Sequence, residues 1–268
     1  MTPSPPPRAR DVSQLQDPAT PTALVLARAF SSHVSPVAEC PYIGGQKQAL
    51  SVHHLLSVQP EELDLLLSRG FRRFGFAYFR PVCACLACDS IRVPVATFTP
   101  SKSHRRALRK ASELTISWGD PVFDDERHVL YQSWHRARET ARGWGEGDLD
   151  ASSYVESFCL PHPCGREVSY RLHGRLVAVG IVDQSAAALS AVYCYYDPAL
   201  SELSLGTVNV LTCLARAKER DLAHVYLGYR VEACPSLRYK AGFHPHELLE
   251  GRPAEGEPTW VREGEAAL

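Results

Sequence analysis

VSYRLHGRLVAVGIVDQSAAALSAVYCYYDP, residues Val168 to Pro198, is the stretch on which the fold turns. His173-Gly174 separates two apolar runs, Val168–Leu172 and Leu176–Val182. Glycine at the second turn position tolerates the positive φ of a tight hairpin, so these runs read as paired strands. Leu189 to Tyr196 follows as a third strand, ended by Asp197-Pro198. Downstream, Leu205, Val208, Leu211 and Leu214 recur at helical spacing in a helix extending to Arg220. Val225–Tyr229 reads as a short buried strand, Cys234–Ala241 as a short helix and Phe243–Leu249 as a last strand. The pattern predicts an α+β unit: antiparallel strands, then helix, strand, helix, strand.

Working upstream, Asp124 or Asp125 caps a helix marked by Leu130, Trp134, Ala137 and Ala141. The glycine-rich loop Gly143-Trp144-Gly145-Glu146-Gly147 follows it. Pro60-Glu61-Glu62 starts a short helix with Leu63, Leu66 and Leu67 on one face, ended by Gly70. Phe71–Arg80 and Ile91–Phe98 read as strands. Ser101 is an N-cap for a helix reaching about Glu113. We therefore expect a flexible Pro-rich extension over residues 1–32, an N-terminal α/β lobe over 33–119, a C-terminal lobe over 120–250 and a flexible tail over 251–268.

The chain has 268 residues and a formal net charge of −1, so it is not a basic coat for nucleic acid, and any nucleic-acid site must come from local clustering. Such a cluster exists. On the helix begun by Ser101, Lys102, Arg105, Arg106, Arg109 and Lys110 share one side, while Ala107, Leu108, Ala111 and Leu114 share the other. Five cations without an acid suit a track of phosphates, which gives affinity without sequence preference. Arg72, Arg73 and Arg92 add to the positive charge of this lobe. No apolar run is long enough to span a bilayer, and no secretory signal is visible. The expected compartment is the cytoplasm, where the nine cysteines stay reduced. Cys40, Cys83, Cys85 and Cys88 are candidate soft ligands for zinc or an iron–sulfur cluster; buried small hydrophobes are the alternative reading.

Seven segments in order carry a family resemblance. They are CPYIGGQ (Cys40–Gln46), GFRRFGFAYFRPVC (Gly70–Cys83), ACDSIRVPV (Ala87–Val95), FTPSKSHRRALRK (Phe98–Lys110), LSAVYCYYDP (Leu189–Pro198), SLGTVNVL (Ser204–Leu211) and YLGYRVEACPSLRYKAGFHPHELL (Tyr226–Leu249). Together they resemble the bacterial aspartate/glutamate leucyltransferases and the related arginyl-tRNA–protein transferases. The element order is likewise similar to the acyl-CoA N-acyltransferase (GNAT) fold, with Tyr239–Phe243 resembling its closing turn. The resemblance implies a GNAT-like transferase lobe, a Cys-containing N-terminal lobe and an aminoacyl-tRNA donor. It also implies an acceptor protein with N-terminal Asp or Glu, and products that enter N-degron proteolysis. Leucine is the expected donor amino acid, with arginine as the alternative.

An aminoacyl ester is already activated, and an α-amine with an ordinary pKa of about 7.7–8.0 is partly neutral at pH 7, so positioning should dominate and no cofactor is required. Asp197 and Asp183 are candidates to orient the amine or accept its proton. Tyr229 and Tyr239 are candidate donors to the carbonyl or leaving oxygen, and Lys240 a candidate partner for the acceptor's carboxylate or a phosphate. Arg72, Arg73 and Arg92 are the acceptor-binding candidates. Two rivals follow from the same residues. An acetyl-CoA enzyme would need a glycine-rich pyrophosphate loop, but Ala199–Val208 holds only Gly206, so acetyl-CoA is not expected. A metal-bearing RNA-binding module would keep the cysteines and the basic helix yet need neither Asp197 nor Lys240. The glycine-rich loop lacks the Lys-Ser/Thr of a P-loop, and Pro245 removes a zinc-protease helix from His244-Pro245-His246-Glu247.

Overall fold

The computed structural model describes residues 20–142, 147–253 and 256–263. The glycine-rich segment 143–146 and the outermost parts of both expected tails lie outside them. In chain order the elements are α1 (Pro21–Leu26), β1 (Ser31–Val34), β2 (Ala38–Glu39), β3 (Lys47–Gln48), β4 (Leu50–His54), α2 (Pro60–Ser68), β5 (Arg72–Phe74), β6 (Ala77–Pro81) and β7 (Asp89–Pro94). Then come α3 (Lys102–Lys110), β8 (Leu114–Gly119), α4 (Asp125–Arg142), α5 (Ala151–Tyr154), β9 (Gly165–Leu172), β10 (Arg175–Gln184) and β11 (Ala188–Tyr196). The chain closes with α6 (Leu205–Glu219), β12 (His224–Arg230), α7 (Pro235–Arg238), β13 (Glu247–Leu249) and β14 (Trp260–Arg262).

An eight-stranded mixed sheet in the order β14-β13-β7-β12-β11-β10-β9-β8 organises an α+β fold. The β9–β10 hairpin turns through His173 and Gly174 at φ 50 and 85, the two positive angles that match the twist of paired strands. Leu176–Val182 of β10 carries a run of buried side chains, because helices cover both faces of the sheet. On one face α6 and Ala107 and Ala111 of the α3 segment pack over Val177, Val182 and Leu189. On the other, Leu130, Tyr131 and Trp134 of α4 pack against Val179, Ile181 and Tyr195.

Local signals placed several helices correctly. Pro60 stands in the first turn of α2, Glu62 accepts from the Gln59 N–H at 2.8 Å, and Leu63, Leu66 and Leu67 are buried. Ser101 caps α3, accepting from the His104 N–H at 3.2 Å. That helix ends at Lys110, not Glu113, because Leu114 starts β8 and packs against the core.

Four expectations are corrected. Phe71–Arg80 is not one strand but the hairpin β5–β6, turned at Gly75, where a Cβ would come within 2.5 Å of the Glu156 carbonyl oxygen. Ile91–Phe98 ends as a strand at Pro94 and continues as a short 3-10 turn. The expected boundary near residue 119 runs through a sheet, since β7 lies at its centre and β8 at its edge. The expected flexible ends are partly built: α1 buries Thr22 and Val25, and β14 pairs with β13 while the Trp260 indole donates to the Ser68 carbonyl at 3.0 Å. A smaller sheet, β1-β4-β6-β5, and the β2–β3 ribbon complete the fold.

Candidate active site

Among the described residues, the one parallel junction of the large sheet lies between β11 and β12, and a cleft opens there. β11 and β12 pair only through Ala188–His224, Leu189–Val225 and Ser190–Tyr226. Beyond these residues the strands no longer pair. There β11 carries a bulge, because Ile181 faces Tyr193 and Val182 faces Ala191, leaving Val192 as the additional residue. Arg72, delivered by β5, enters the gap. Its Nη2 donates to the Val192 carbonyl at 2.8 Å, and its guanidinium carbon lies 5.5 Å from the centre of the Tyr229 ring. Gly228 makes room for it: φ is +75, and a Cβ would stand 2.6 Å from the guanidinium carbon.

Around this wedge opens a cavity of about 630 Å³. Trp134, Tyr193 and Tyr196 line one part, Leu227 and Lys240 another, and Thr207 the start of α6. A second groove of about 440 Å³ shares Ser204, Thr207 and Tyr239 with the first and runs to Arg106 and Lys110 of α3. The basic helix is thereby joined to the cleft through a shared wall. Lys240 is buried and its Nζ donates to the Tyr229 carbonyl at 2.9 Å. Burial, reinforced by the Arg72 cation, holds its amine well below the ordinary lysine range.

Comparison with known proteins places this cleft in a family. The model described as "Arginine-tRNA-protein transferase, C terminus" matches residues 126–250, and that described as "Arginine-tRNA-protein transferase, N terminus" matches residues 38–106. The chain belongs to this transferase family. Among curated relatives, an aspartate/glutamate leucyltransferase of Campylobacter jejuni is 33% identical over 84% of this chain and 95% of its own length. Those of Helicobacter hepaticus and Halorhodospira halophila are 35% and 36% identical, over 82% and 80% of this chain and 93% and 92% of theirs. Among solved structures, the chain is similar to the C-terminal domain (DUF2156) of a putative lysylphosphatidylglycerol synthetase from Agrobacterium fabrum. That match has a TM-score of 0.44 and 12% identity, and covers 84% of this chain and 81% of the other. It is also similar to FemX, with a TM-score of 0.42 and 8% identity, covering 81% and 83%.

In this member of the transferase family, the structure brings together only part of the set expected from sequence. Arg72, Tyr239 and Lys240 line the cleft, as do Arg106 and Lys110 the adjoining groove. Tyr229 lies behind the wall as a strut, its hydroxyl donating to the Gly70 carbonyl at 2.9 Å. Asp183 and Arg73 do not reach the cleft. They form a buried ion pair, Arg73 Nε to Asp183 Oδ2 at 2.9 Å and Nη2 to Oδ1 at 2.5 Å, and the remaining Arg73 Nη1 donates to the Gly75 carbonyl. Two complementary charges in one interior satisfy each other, which sequence spacing did not reveal. Arg92 is likewise engaged, bonded to Glu247 at 2.7 Å with its guanidinium 4.3 Å from the Trp260 ring.

Asp197 is also placed differently from expectation. It caps the turn Pro198–Leu203 by accepting from the Ala199 N–H at 2.9 Å, and pairs with Arg175 at 2.6 Å. Partial burial raises its carboxyl, but these two bonds outweigh that and hold it below the usual aspartate range. Lys102, Arg105 and Arg109 point from α3 outside the lining of the groove.

Cys40, Cys83, Cys85 and Cys88 share one neighbourhood. Burial first, then the other three thiols, push Cys88 up to about 11. Arg252 ties this loop down through the Cys83 and Cys85 carbonyls at 2.7 and 3.0 Å. Among the described residues no three His, Cys, Asp or Glu side chains gather as metal ligands. Also among the described residues, no helix is long and apolar enough to cross a membrane.

Sequence reasoning missed Trp134, Tyr193 and Thr207 as cleft residues and His135 behind them. The helical repeat assigned Trp134 to the core. His135 is its immediate neighbour, and only strand bulging brings Tyr193 to it.

Proposed function

We propose that this protein transfers leucine from leucyl-tRNA to the α-amine of proteins beginning with Asp or Glu, in the cytoplasm, marking them for N-degron proteolysis. The observation that carries the reading is the cleft itself: a cationic wedge, Arg72, and a buried amine, Lys240, beside a groove edged by Arg106 and Lys110. The relatives' shared name, aspartate/glutamate leucyltransferase, supports both the acceptor and the amino acid. Arginine is the second reading, favoured by the description of the two matching family models. We read the splayed β11–β12 pair, with α6 starting at its mouth, as a GNAT-like transferase unit.

In this reading the donor's 3′ strand follows the α3 groove, where Arg106 and Lys110 meet its phosphates. The aminoacyl ester then passes Tyr239 and Thr207 into the cleft. The acceptor's acidic side chain meets Arg72 and Lys240. An incoming carboxylate favours the charged form of an amine that burial has pushed toward neutrality, so recognition and recharging of Lys240 are coupled. The amine nitrogen attacks the ester carbonyl, a C–N bond forms and the C–O bond to the ribose breaks. The ester carries the activation, so the transfer step itself requires neither a cofactor nor acetyl-CoA. Incubating the protein with leucyl-tRNA, and separately arginyl-tRNA, and a peptide beginning with Asp tests this. The expected product is the peptide heavier by one leucyl residue; arginine alone moves the proposal to the second reading, and no product from either refutes both.

A further inference from the structure

We propose that Tyr193 and His135 form a proton path at the cleft, Tyr193 taking the acceptor amine's proton as it passes its own to His135. This rests on the transferase reading above. Tyr193 follows the bulge at Val192 and lines the cleft. Its hydroxyl stands 2.9 Å from His135 Nε2, and the two rings are stacked with centres 6.0 Å apart. Phe74, edge-on at 5.7 Å, and Phe158, stacked at 5.6 Å, hold the Tyr193 ring in place.

For His135 to take a proton from the phenol, the Tyr193 hydroxyl donates and His135 Nε2 accepts. The path therefore requires a neutral His135 with its proton on Nδ1. Burial lowers the imidazole below the ordinary histidine range; Glu139 opposes this, while Arg138 and Arg136 add to it. These three and Tyr131, at 4.3 Å between ring centres, lie on its own helix, and Tyr193 faces it from β11. Tyr193 and His135 thus form a hydrogen-bonded pair in which the imidazole can take up the phenol's proton.

The reaction has a proton to move. Attack of the amine on the ester carbonyl makes a C–N bond and leaves a cationic nitrogen, while the departing ribose oxygen needs a proton when its C–O bond breaks. In the path, the nitrogen's proton goes to the Tyr193 oxygen as the phenol proton goes to His135 Nε2. Reversal of both transfers then protonates the ribose oxygen. Nothing is oxidised or reduced, and both side chains return to their starting states. Tyr193 is the group that touches substrate; His135 acts through it.

Two variants test the path. Tyr193→Phe keeps the ring and its packing, and His135→Gln keeps a hydrogen-bonding partner that cannot take up a proton. The path predicts that each lowers kcat for leucyl transfer by about a hundredfold or more at pH 7. Affinity for leucyl-tRNA should be unchanged, and the deficit should shrink toward pH 9 as hydroxide takes over the proton. Undiminished kcat, or a loss equal at every pH, overturns it. A readout independent of turnover is the nitrogen NMR of labelled histidine in the intact protein. The path requires His135 to carry its proton on Nδ1 at neutral pH, and a proton found on Nε2 overturns it even if leucine is transferred. Absence of transfer by the unaltered protein, with the Nδ1 tautomer in place, instead refutes the transferase reading.

Discussion

Arg72 and Val192 are joined across the gap between two strands, Nη2 of the one donating to the carbonyl of the other at 2.8 Å. A bulge frees that carbonyl from the sheet ladder, and a side chain from a different sheet takes it. If the same guanidinium receives the acceptor's carboxylate, its loss removes a charged hydrogen bond of about 1.5–3 kcal/mol. Arg72→Gln is therefore expected to raise KM for a peptide beginning with Asp about ten- to hundred-fold and leave leucyl-tRNA affinity alone. Gly228→Ala should act the same way, since its Cβ would stand 2.6 Å from the guanidinium. Steady-state kinetics and tRNA binding on both variants check this; an unchanged KM in Arg72→Gln would remove Arg72 from acceptor recognition.

Lys240 supplies a pH signature. Its folded-state pKa lies well below the ordinary lysine value of 10.5, mainly from burial, so the native protein binds fewer protons than the unfolded chain between those two values. Stability from this group therefore rises with pH across that window. Lys240→Met removes the group, so its stability relative to the parent should fall as the pH rises toward 10. Denaturant midpoints at several pH values measure the difference, and a constant gap contradicts a neutralised Lys240.

Asp183 and Arg73 separate structure from catalysis. Their side chains are 1% and 4% exposed, and removing one leaves an uncompensated buried charge. Asp183→Ala is expected to cost about 3–5 kcal/mol, a scale set by other broken buried pairs. Urea unfolding should report that loss, while the protein still folded at low temperature keeps its kcat. A stable but inactive variant would return Asp183 to the chemistry.

The α3 groove predicts salt dependence. Arg106→Ala with Lys110→Ala removes two phosphate contacts from a single-stranded segment, so the dependence of log K on log salt should become shallower by about 1.4. Binding of leucyl-tRNA at several salt concentrations reads the slope. An unaltered slope places the tRNA elsewhere.

What the sequence disclosed follows the range of its signals. Periodicity is local, so the β9–β10 hairpin, the buried leucines of α2 and the Ser101 cap were readable within a dozen residues. The central place of β7 was not, because its partners β12 and β13 lie more than a hundred residues downstream. The same holds for Asp183, whose carboxylate looked available until Arg73 was folded against it, and for Trp260, which sat in a Gly- and Pro-rich context that resembles a tail. Lys240 and Tyr239 were legible in the resemblance to the family. The bulge at Val192, which frees a carbonyl for Arg72 and brings Tyr193 to His135, left no mark in the composition of β11.

The most direct test of the whole account is the rate of leucyl transfer from leucyl-tRNA to peptides identical except for a first residue of Asp, Glu or Ala. The account predicts efficient addition to Asp and Glu and a kcat/KM for Ala lower by at least about tenfold, the loss of one charged hydrogen bond. Equal transfer to all three peptides would contradict acidic recognition by Arg72 and Lys240, and no transfer to any would contradict the assignment of the cleft.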